Sequence, residues 1–389
     1  MSDGPRLVLA NLDFEEELRS SYGAGGPART LSAAARRAAA EAGALLRVFC
    51  RTGDRLWLPA PLDPGALPEL GGLSRPVLEH GPPEALAPPE ALAPAAALLA
   101  WGEGPRAAAL RERWGIEPPG AGDEPAKALH GPLHEAVWRL PVASPEVVAR
   151  VAHRGFCLAL AREREWALPG ARLVSDPGEL EARLSGAWVV KAPFSAAGRE
   201  RLVGAGPEVL LDRGVRRRLE GLFARHGSLL LEPWVERTAD FGAAGFVTPK
   251  AARLVTVHRQ EVGRGGGFRG ILPAGPEGAA SGLAPAERDL LETAFHAAAE
   301  TLRAAGYAGP FGIDAFRWRR PGGGESFHPL CEINPRLTFG LVARALAERA
   351  TEPDPAAATP GGGAAAGKPL APVGGERRLD WSGGVRDRG

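Results

Sequence analysis

Three oxygen-bearing side chains late in the chain, Asp314, Glu332 and Asn334, are spaced so that they could hold a divalent cation. Glu332 and Asn334 lie two apart in Leu330-Cys331-Glu332-Ile333-Asn334-Pro335-Arg336, so on a strand they share one face while Cys331 and Ile333 turn to the other. Asp314 lies in Gly312-Ile313-Asp314-Ala315-Phe316, and the turn Pro321-Gly322-Gly323-Gly324 joins the two runs as a hairpin. Symmetry about Gly323 sets Asp314 directly opposite Glu332. Facing carboxylates repel unless something positive lies between them, and a hard cation with oxygen ligands is the natural partner. Magnesium, or manganese in its place, takes one or two carboxylates and completes its shell with phosphate oxygens, which leaves room for a nucleotide. A bulge at Pro329 that shifted the register by one would turn Asp314 to the wrong face. A half-exposed hairpin with polar residues on its wet side is the other reading of the same residues.

A second group lies earlier. Trp188-Val189-Val190-Lys191 reads as a buried strand ending in a lysine, followed by the small-residue loop Ala192-Pro193-Phe194-Ser195-Ala196-Ala197-Gly198-Arg199. A compact ammonium at a strand end can meet phosphate oxygens, and a loop of Ser, Ala and Gly lets backbone N–H groups approach them closely, although a solvated charge is the commoner fate of such a lysine.

The Asp on one strand, the Glu-x-Asn on the next and the arginine two beyond resemble the metal end of the ATP-grasp superfamily, which includes biotin carboxylase, D-alanyl-D-alanine ligase and glutathione synthetase. The resemblance implies that Asp314, Glu332 and Asn334 hold magnesium and that Arg336 stands near a carboxylate substrate. It implies that Lys191 and the loop carrying Ser195 and Gly198 are the phosphate-binding strand and lid. It also makes Glu232-Pro233-Trp234-Val235 the linker between two lobes, where Glu232 and backbone groups meet the adenine edge and the apolar side chains of Trp234 and Val235 sandwich the ring, with Asp240 left for ribose or lid contacts. A strand exit stopped by Pro233, with Trp234 filling core, is the alternative there. Where many members place a further phosphate-binding lysine, this chain has His153-Arg154, and the planar fork of Arg154 suits phosphate. The order Arg154, Lys191, Glu232, Asp314, Glu332, Asn334 is the superfamily order, over roughly Ser144 to Ala350. D-alanyl-D-alanine ligases carry an arginine two residues before the metal-site aspartate. Gly312 stands here instead, so Arg259, Arg269 or Arg336 would have to supply that charge.

These residues need a frame. The resemblance implies an α/β and α+β fold: an N-terminal Rossmann-like α/β domain over 1–143, a two-lobed ATP-grasp domain over 144–350 (small lobe about 155–235, large lobe about 236–350) and a tail over 351–389. In the first part Arg6 to Asp13 reads as a buried strand, Leu31 to Ala44 as a helix and Leu45 to Cys50 as a second strand. After the Pro-rich stretch Pro59 to Pro94 come a strand at Ala96 to Trp101 and a helix at Pro105 to Trp114 closed by Gly115. Ser144-Pro145-Glu146 is a helix start, a capping serine, a proline and a first-turn acid, for a helix reaching Arg164. Strands at Ala187 to Lys191 and Leu229 to Leu231 enclose a helix from Pro207 to His226, and two strand-like runs fill Phe241 to Val262. Pro285 to Ala305 is an amphipathic helix with Leu291, Phe295 and Leu302 on one stripe, and a helix from Phe339 to Arg349 follows the carboxylate hairpin. The Pro/Gly/Ala-rich tail has few apolar side chains to bury and is expected to be disordered.

The totals narrow the function classes. At 389 residues the chain is long enough for two or three domains. Its 47 Lys and Arg against 46 Asp and Glu leave a net charge of +1, so no excess field draws it to nucleic acid or to an anionic membrane. No apolar window approaches the ~20 residues that span a bilayer. Cys50, Cys157 and Cys331 have no CxxC spacing, and the first residues lack a signal-peptide pattern, which together point to a reducing, cytoplasmic setting. Other motifs fail on context. Gly265 to Gly270 fits G-x-G-x-x-G but no helix opens after it, and Gly362 to Lys368 is followed by Pro369 where a P-loop needs Ser or Thr. Asp240-Phe241-Gly242 lacks the rest of a kinase set, and Gly131 and Pro132 break the helix that a zinc pair His130 and His134 would need. The resemblance therefore implies an ATP- and magnesium-dependent ligase that activates a carboxylate as an acyl phosphate for attack by an amine or similar nucleophile. Its partners are small molecules, with a homo-oligomer left open. A phosphotransferase and a non-catalytic ATP-binding module are the alternatives.

Overall fold

The computed structural model describes residues 6–23, 30–63, 73–88, 97–119, 131–195, 200–263, 268–273 and 282–351. The tail from 352 on, with the P-loop-like 362–368, and Gly198, His130 and Gly265 to Gly267 lie outside the described residues. The chain forms three sheets among those described.

The first sheet contains β1 (Arg6–Leu9), β2 (Arg55–Trp57), β3 (Val77–Glu79) and β4 (Ala97–Ala100), all parallel, in the order β3-β2-β1-β4. Apolar runs such as Leu7-Val8-Leu9 are buried on both faces, as parallel strands covered by helices require. Helices α1 (Phe14–Tyr22) and α2 (Ala33–Gly43) follow β1, and α3 (Pro105–Trp114) follows β4, ending at Gly115 with φ +61. The strand order reverses at β1, so the carboxyl ends of β1 and β4 flank the crevice where open α/β sheets accept ligands. Asn11 and Gly102 tie these two exits together, the Asn11 amide donating to the Gly102 carbonyl at 2.9 Å. The expected strand Leu45 to Cys50 is instead a 3-10 helix, Ala44–Phe49. It continues directly from α2 and buries Leu46, Val48 and Phe49, an apolar run too short for periodicity to separate helix from strand.

The expected helix from Ser144 to Arg164 is two helices, α4 (Pro145–Ala152) and α5 (Arg154–Glu163). His153 between them is extended, and its ring Nδ1 accepts from the Gly155 N–H at 3.0 Å, which starts a new helix at Arg154. The second sheet is antiparallel: β5 (Arg172–Val174), β6 (Ala187–Lys191), β7 (Arg201–Ala205) and β8 (Leu229–Pro233) in the order β5-β8-β6-β7. The short helix α6 (Pro177–Glu181) lies between β5 and β6, and α7 (Arg213–His226) covers the sheet, its Leu219 and Phe223 joining Trp188 and Val190 in one buried cluster. α7 begins later than Pro207 because Asp212 caps it, its carboxylate accepting from Gly214 and Val215 N–H.

The third sheet is an antiparallel platform of β9 (Arg237–Val247), β10 (Ala252–Val262), β11 (Phe268–Pro273), β12 (Gly309–Arg319) and β13 (Glu325–Asn334), in the order β11-β10-β9-β12-β13. Helix α8 (Pro285–Ala304) buries Leu291, Phe295 and Leu302 against it, with Phe295 stacked on Phe311 at 4.5 Å. Helix α9 (Phe339–Arg349), capped by the Thr338 hydroxyl, packs over β10 and β11. The hairpin of β12 and β13 has a bulge. Phe316 pairs with His328 near the turn, and Asp314 pairs with Glu332 beyond it, so β13 carries two more residues than β12 between these pairs. A shift of two preserves the pleat parity that a shift of one would have reversed.

Candidate functional site

Directly opposed residues in an antiparallel sheet share a face. The pairings His258 with Gly242, Gly242 with Asp314, and Asp314 with Glu332 therefore put one row across β10, β9, β12 and β13. Asn334 lies two residues from Glu332 on the same face. Gly242 supplies the gap in this row. A Cβ there would lie 2.6 Å from His258 Nε2 and 2.9 Å from Gln260 Nε2, and through that gap Gln260 reaches from β10 to donate to Asp314 Oδ1 at 2.6 Å. Asn334 Nδ2 donates to the other oxygen, Oδ2, at 3.0 Å. Burial, and then the charge of Glu332 opposite, push the Asp314 carboxyl above its ordinary proton affinity, and these two amide donors offset only part of that.

Glu332 pairs with Arg154 at 2.9 Å. Arg154 is buried, and its remaining donors hold the chain just after β6: Nε to the Ala192 carbonyl at 3.0 Å, and Nη2 to the Ser195 carbonyl at 3.0 Å and hydroxyl at 3.3 Å. The helix break at His153 aims it there. Lys191, at the end of β6, donates to Glu232 Oε2 at 2.5 Å, and both side chains are buried. Burial opposes ionisation of Glu232, but the Lys191 ammonium outweighs it and holds the carboxyl below its usual range. Trp234 donates its own N–H to the Ala187 carbonyl at 2.9 Å, continuing the pairing of β8 with β6. The Arg201 guanidinium stands 5.6 Å over the Trp234 ring, and Val235 packs with Leu158, Leu168 and Phe316. Asp240 accepts from Arg237 at 2.9 Å, and Arg237 lies 4.0 Å over the Phe316 ring.

Arg336 meets a third region. Its Nη2 donates to Asn334 Oδ1 at 3.0 Å, Nη1 to the Leu337 carbonyl at 3.1 Å and Nε to Glu15 of α1 at 2.8 Å, and the guanidinium lies 5.1 Å over the Trp101 ring beyond β4. Asp314, Glu332, Asn334 and Arg336 thus form one connected group, with Arg154 linking it to the loop that follows Lys191. Gln260, His258, Arg237 and Glu15 were not singled out in the sequence. The alternation His258-x-Gln260 is the one local signal for the first two, and it acquires meaning when β10 is placed beside β9.

Two carboxylates and an amide are hard oxygen donors, and the facing of Asp314 and Glu332 is a repulsion that a cation between them would relieve, so the residue types fit magnesium or manganese. Among the described residues no group of three or more His, Cys, Asp or Glu could hold a metal. Cys157 and Cys331 border the same interior as Arg154, Glu232 and His328, and burial raises both thiols, which disfavours a thiolate nucleophile. Among the described residues, no helix is long and apolar enough to cross a membrane.

No protein-family model and no curated protein matches the sequence. Solved structures do resemble it. A carboxyaminoimidazole ribonucleotide synthase from Aspergillus clavatus, complexed with ATP, is 13% identical over 51% of this chain and 48% of its own, TM-score 0.39, so the chain spans about half of that protein. An N5-carboxyaminoimidazole synthetase from Staphylococcus aureus, complexed with ADP, is 9% identical over 87% and 72%, TM-score 0.47. An L-amino acid ligase from Bacillus licheniformis is 12% identical over 88% and 70%, TM-score 0.46. At such identities and TM-scores the chemistry has to be read from the geometry of this chain's own residues. The structures that this chain resembles are ATP-grasp ligases.

Proposed function

We propose that the chain is an ATP-grasp enzyme, an ATP- and magnesium-dependent ligase that activates a carboxylate as an acyl phosphate for an amine or similar nucleophile. The observation that carries this reading is the direct opposition of Asp314 and Glu332, with Asn334 on their face and Arg154 bridging from Glu332 to the loop after Lys191. In this reading residues 144–350 are the ATP-grasp domain and 1–143 the domain before it.

Asp314, Glu332 and Asn334 would hold magnesium, which supplies charge neutralisation to the phosphates and polarises the phosphoryl group. Lys191 contributes a movable point charge, now balanced by Glu232, that can turn to phosphate oxygens. Glu232 and the linker backbone orient the base, with Trp234 and Val235 as apolar walls, and Ser195 starts the phosphate loop. Asp240 is placed for ribose or lid contacts. Arg154 holds the loop and Glu332 in a fixed relation rather than presenting an open fork. Arg336 has a second N–H on each terminal nitrogen, beyond its bonds to Leu337 and Asn334, with which to grip the substrate carboxylate or the moving phosphoryl group. The contacts of Arg336 with Glu15 of α1 and Trp101 just after β4 support an acceptor substrate over that crevice. The three free thiols, Cys50, Cys157 and Cys331, suit a reducing compartment, the cytoplasm.

The test is ADP release from the purified chain across a library of carboxylic acids and amines, with products read by mass and Glu332→Ala as control. Joined product with ADP supports the ligase. ADP with a phosphorylated acceptor and no joined product replaces it by a phosphotransferase. Tight Mg-ATP binding without turnover on any pair would leave a binding module.

A further inference from the structure

Asn334 is one amide shared by two neighbours with opposite demands. Its Nδ2 donates to Asp314 Oδ2 at 3.0 Å, and its Oδ1 accepts from Arg336 Nη2 at 3.0 Å. A carboxylate accepts and a guanidinium donates, so between these two neighbours the amide has one workable orientation. In that orientation the carbonyl oxygen, the atom of Asn334 able to ligate a hard cation, faces Arg336 and not the carboxylates.

Resting on the reading of Asp314, Glu332 and Asn334 as a divalent-cation site, we propose that Asn334 is a two-position switch that couples cation binding to the release of Arg336. Ligation through Oδ1 requires the amide to turn over. The turn brings Nδ2 toward Arg336, donor against donor, and strips Nη2 of its acceptor. That N–H then becomes available to an anionic group of the acceptor substrate.

Two features make the turn workable. Asp314 keeps the Gln260 donor on Oδ1 at 2.6 Å when Asn334 leaves Oδ2. Arg336 stays anchored through Nε on Glu15 at 2.8 Å and Nη1 on the Leu337 carbonyl at 3.1 Å, so losing the Asn334 contact pivots the guanidinium over Trp101 instead of expelling it. The consequence is a preferred order of assembly: Arg336 already has a second N–H on each terminal nitrogen for the substrate carboxylate, and the donor freed from Asn334 strengthens that grip once cation and nucleotide are bound.

Trp101 lies beneath the pivot and reports it. The full chain labelled with 5-fluorotryptophan is titrated with a non-hydrolysable ATP analogue in EDTA and then with magnesium. Trp101→Phe identifies the resonance, or Arg336→Lys should that variant not fold. Manganese binding is followed in parallel by electron paramagnetic resonance. The Trp101 resonance should stay in place with the analogue alone, and should move with magnesium over the range in which manganese binds. Asn334→Asp offers an oxygen to both sides, so it should retain manganese while its Trp101 resonance no longer responds. Magnesium binding without movement of that resonance in the parent chain, or equal movement in Asn334→Asp, overturns the switch. Absence of manganese binding, or binding unchanged in Asp314→Asn, overturns the cation site itself and is a distinct failure.

Discussion

Glu232 is a buried carboxylate and Asp314 a half-buried one, both on strands, yet their proton affinities move in opposite directions. At the nucleotide end, burial of Glu232 is outweighed by Lys191 at 2.5 Å, and the pair is electrically closed. At the carboxylate end, burial of Asp314 is reinforced by Glu332, and neutral amides from Gln260 and Asn334 are what hold it. Of the positive charges at that end, Arg154 sits on Glu332, and Arg336, held by Asn334 and Glu15, offsets the shift of Asp314 only in part. One end is balanced within the protein, while at the other two carboxylates face each other and burial with the Glu332 charge outweighs the donors around Asp314. Carboxylates pushed in opposite directions by their surroundings are a pattern that functional sites favour, and the proposed cation site stands on it together with the pairing of Asp314 and Glu332.

The strongest way to break this comparison is to open the closed end. Lys191→Ala leaves Glu232 buried without its counter-charge and should destabilise the chain by about 3–5 kcal/mol, read from the urea midpoint. Lys191→Met combined with Glu232→Leu removes both charges and should recover most of that loss. Equal destabilisation in the single and double variants would mean that the two charges are not a unit.

Acid offers a comparison of the two ends at once, because each contains a buried histidine. Burial lowers His328, beside Glu232, and His258, beside Gly242, each to about 4. Their unfolded counterparts accept a proton near the ordinary value of 6.5 that the folded ones refuse. Stability from these groups is therefore whole above about 6.5 and declines as pH falls toward about 4, by up to ~3 kcal/mol each. Asp314 has the contrary sign. Its raised carboxyl favours the folded state at low pH, and that contribution is lost as pH rises from 3.8 through the raised value. Urea midpoints between about pH 4 and 8 should thus slope less in His328→Gln and His258→Gln than in the parent. In Asp314→Asn the rise with pH should be steeper at the acid end. A parallel set of profiles would show that these groups do not titrate differently on unfolding.

The smallest change sharpens the carboxylate end alone. Gln260→Ala removes one of two donors that orient Asp314, and should weaken manganese binding by about 10–100-fold with little change in the urea midpoint. Gly242→Ala should act in the same direction, since its Cβ would fall 2.9 Å from Gln260 Nε2. Unchanged manganese affinity in both would remove Gln260 from the site.

Local chemistry made part of this molecule legible from its residues alone. The capping serine and first-turn proline of α4, the glycine after α3, the stripe on α8 and the glycine turn of the hairpin act over a few residues, and the two-residue period that puts Glu332 and Asn334 on one face needs no partner to be seen. The same locality explains what was misread: Leu45 to Cys50 is too short for its apolar pattern to exclude a helical turn, and a histidine that caps the following helix looks like any other mid-helix residue at 153. Tertiary structure decided the rest. The reach of Gln260 through the gap at Gly242, the clasp of Arg336 by Glu15 from a helix more than 300 residues earlier and the division of Arg154 between Glu332 and Ser195 all depend on strand register and on which sheets meet. Those are set by pairing and packing between distant segments, so no window of sequence contains them.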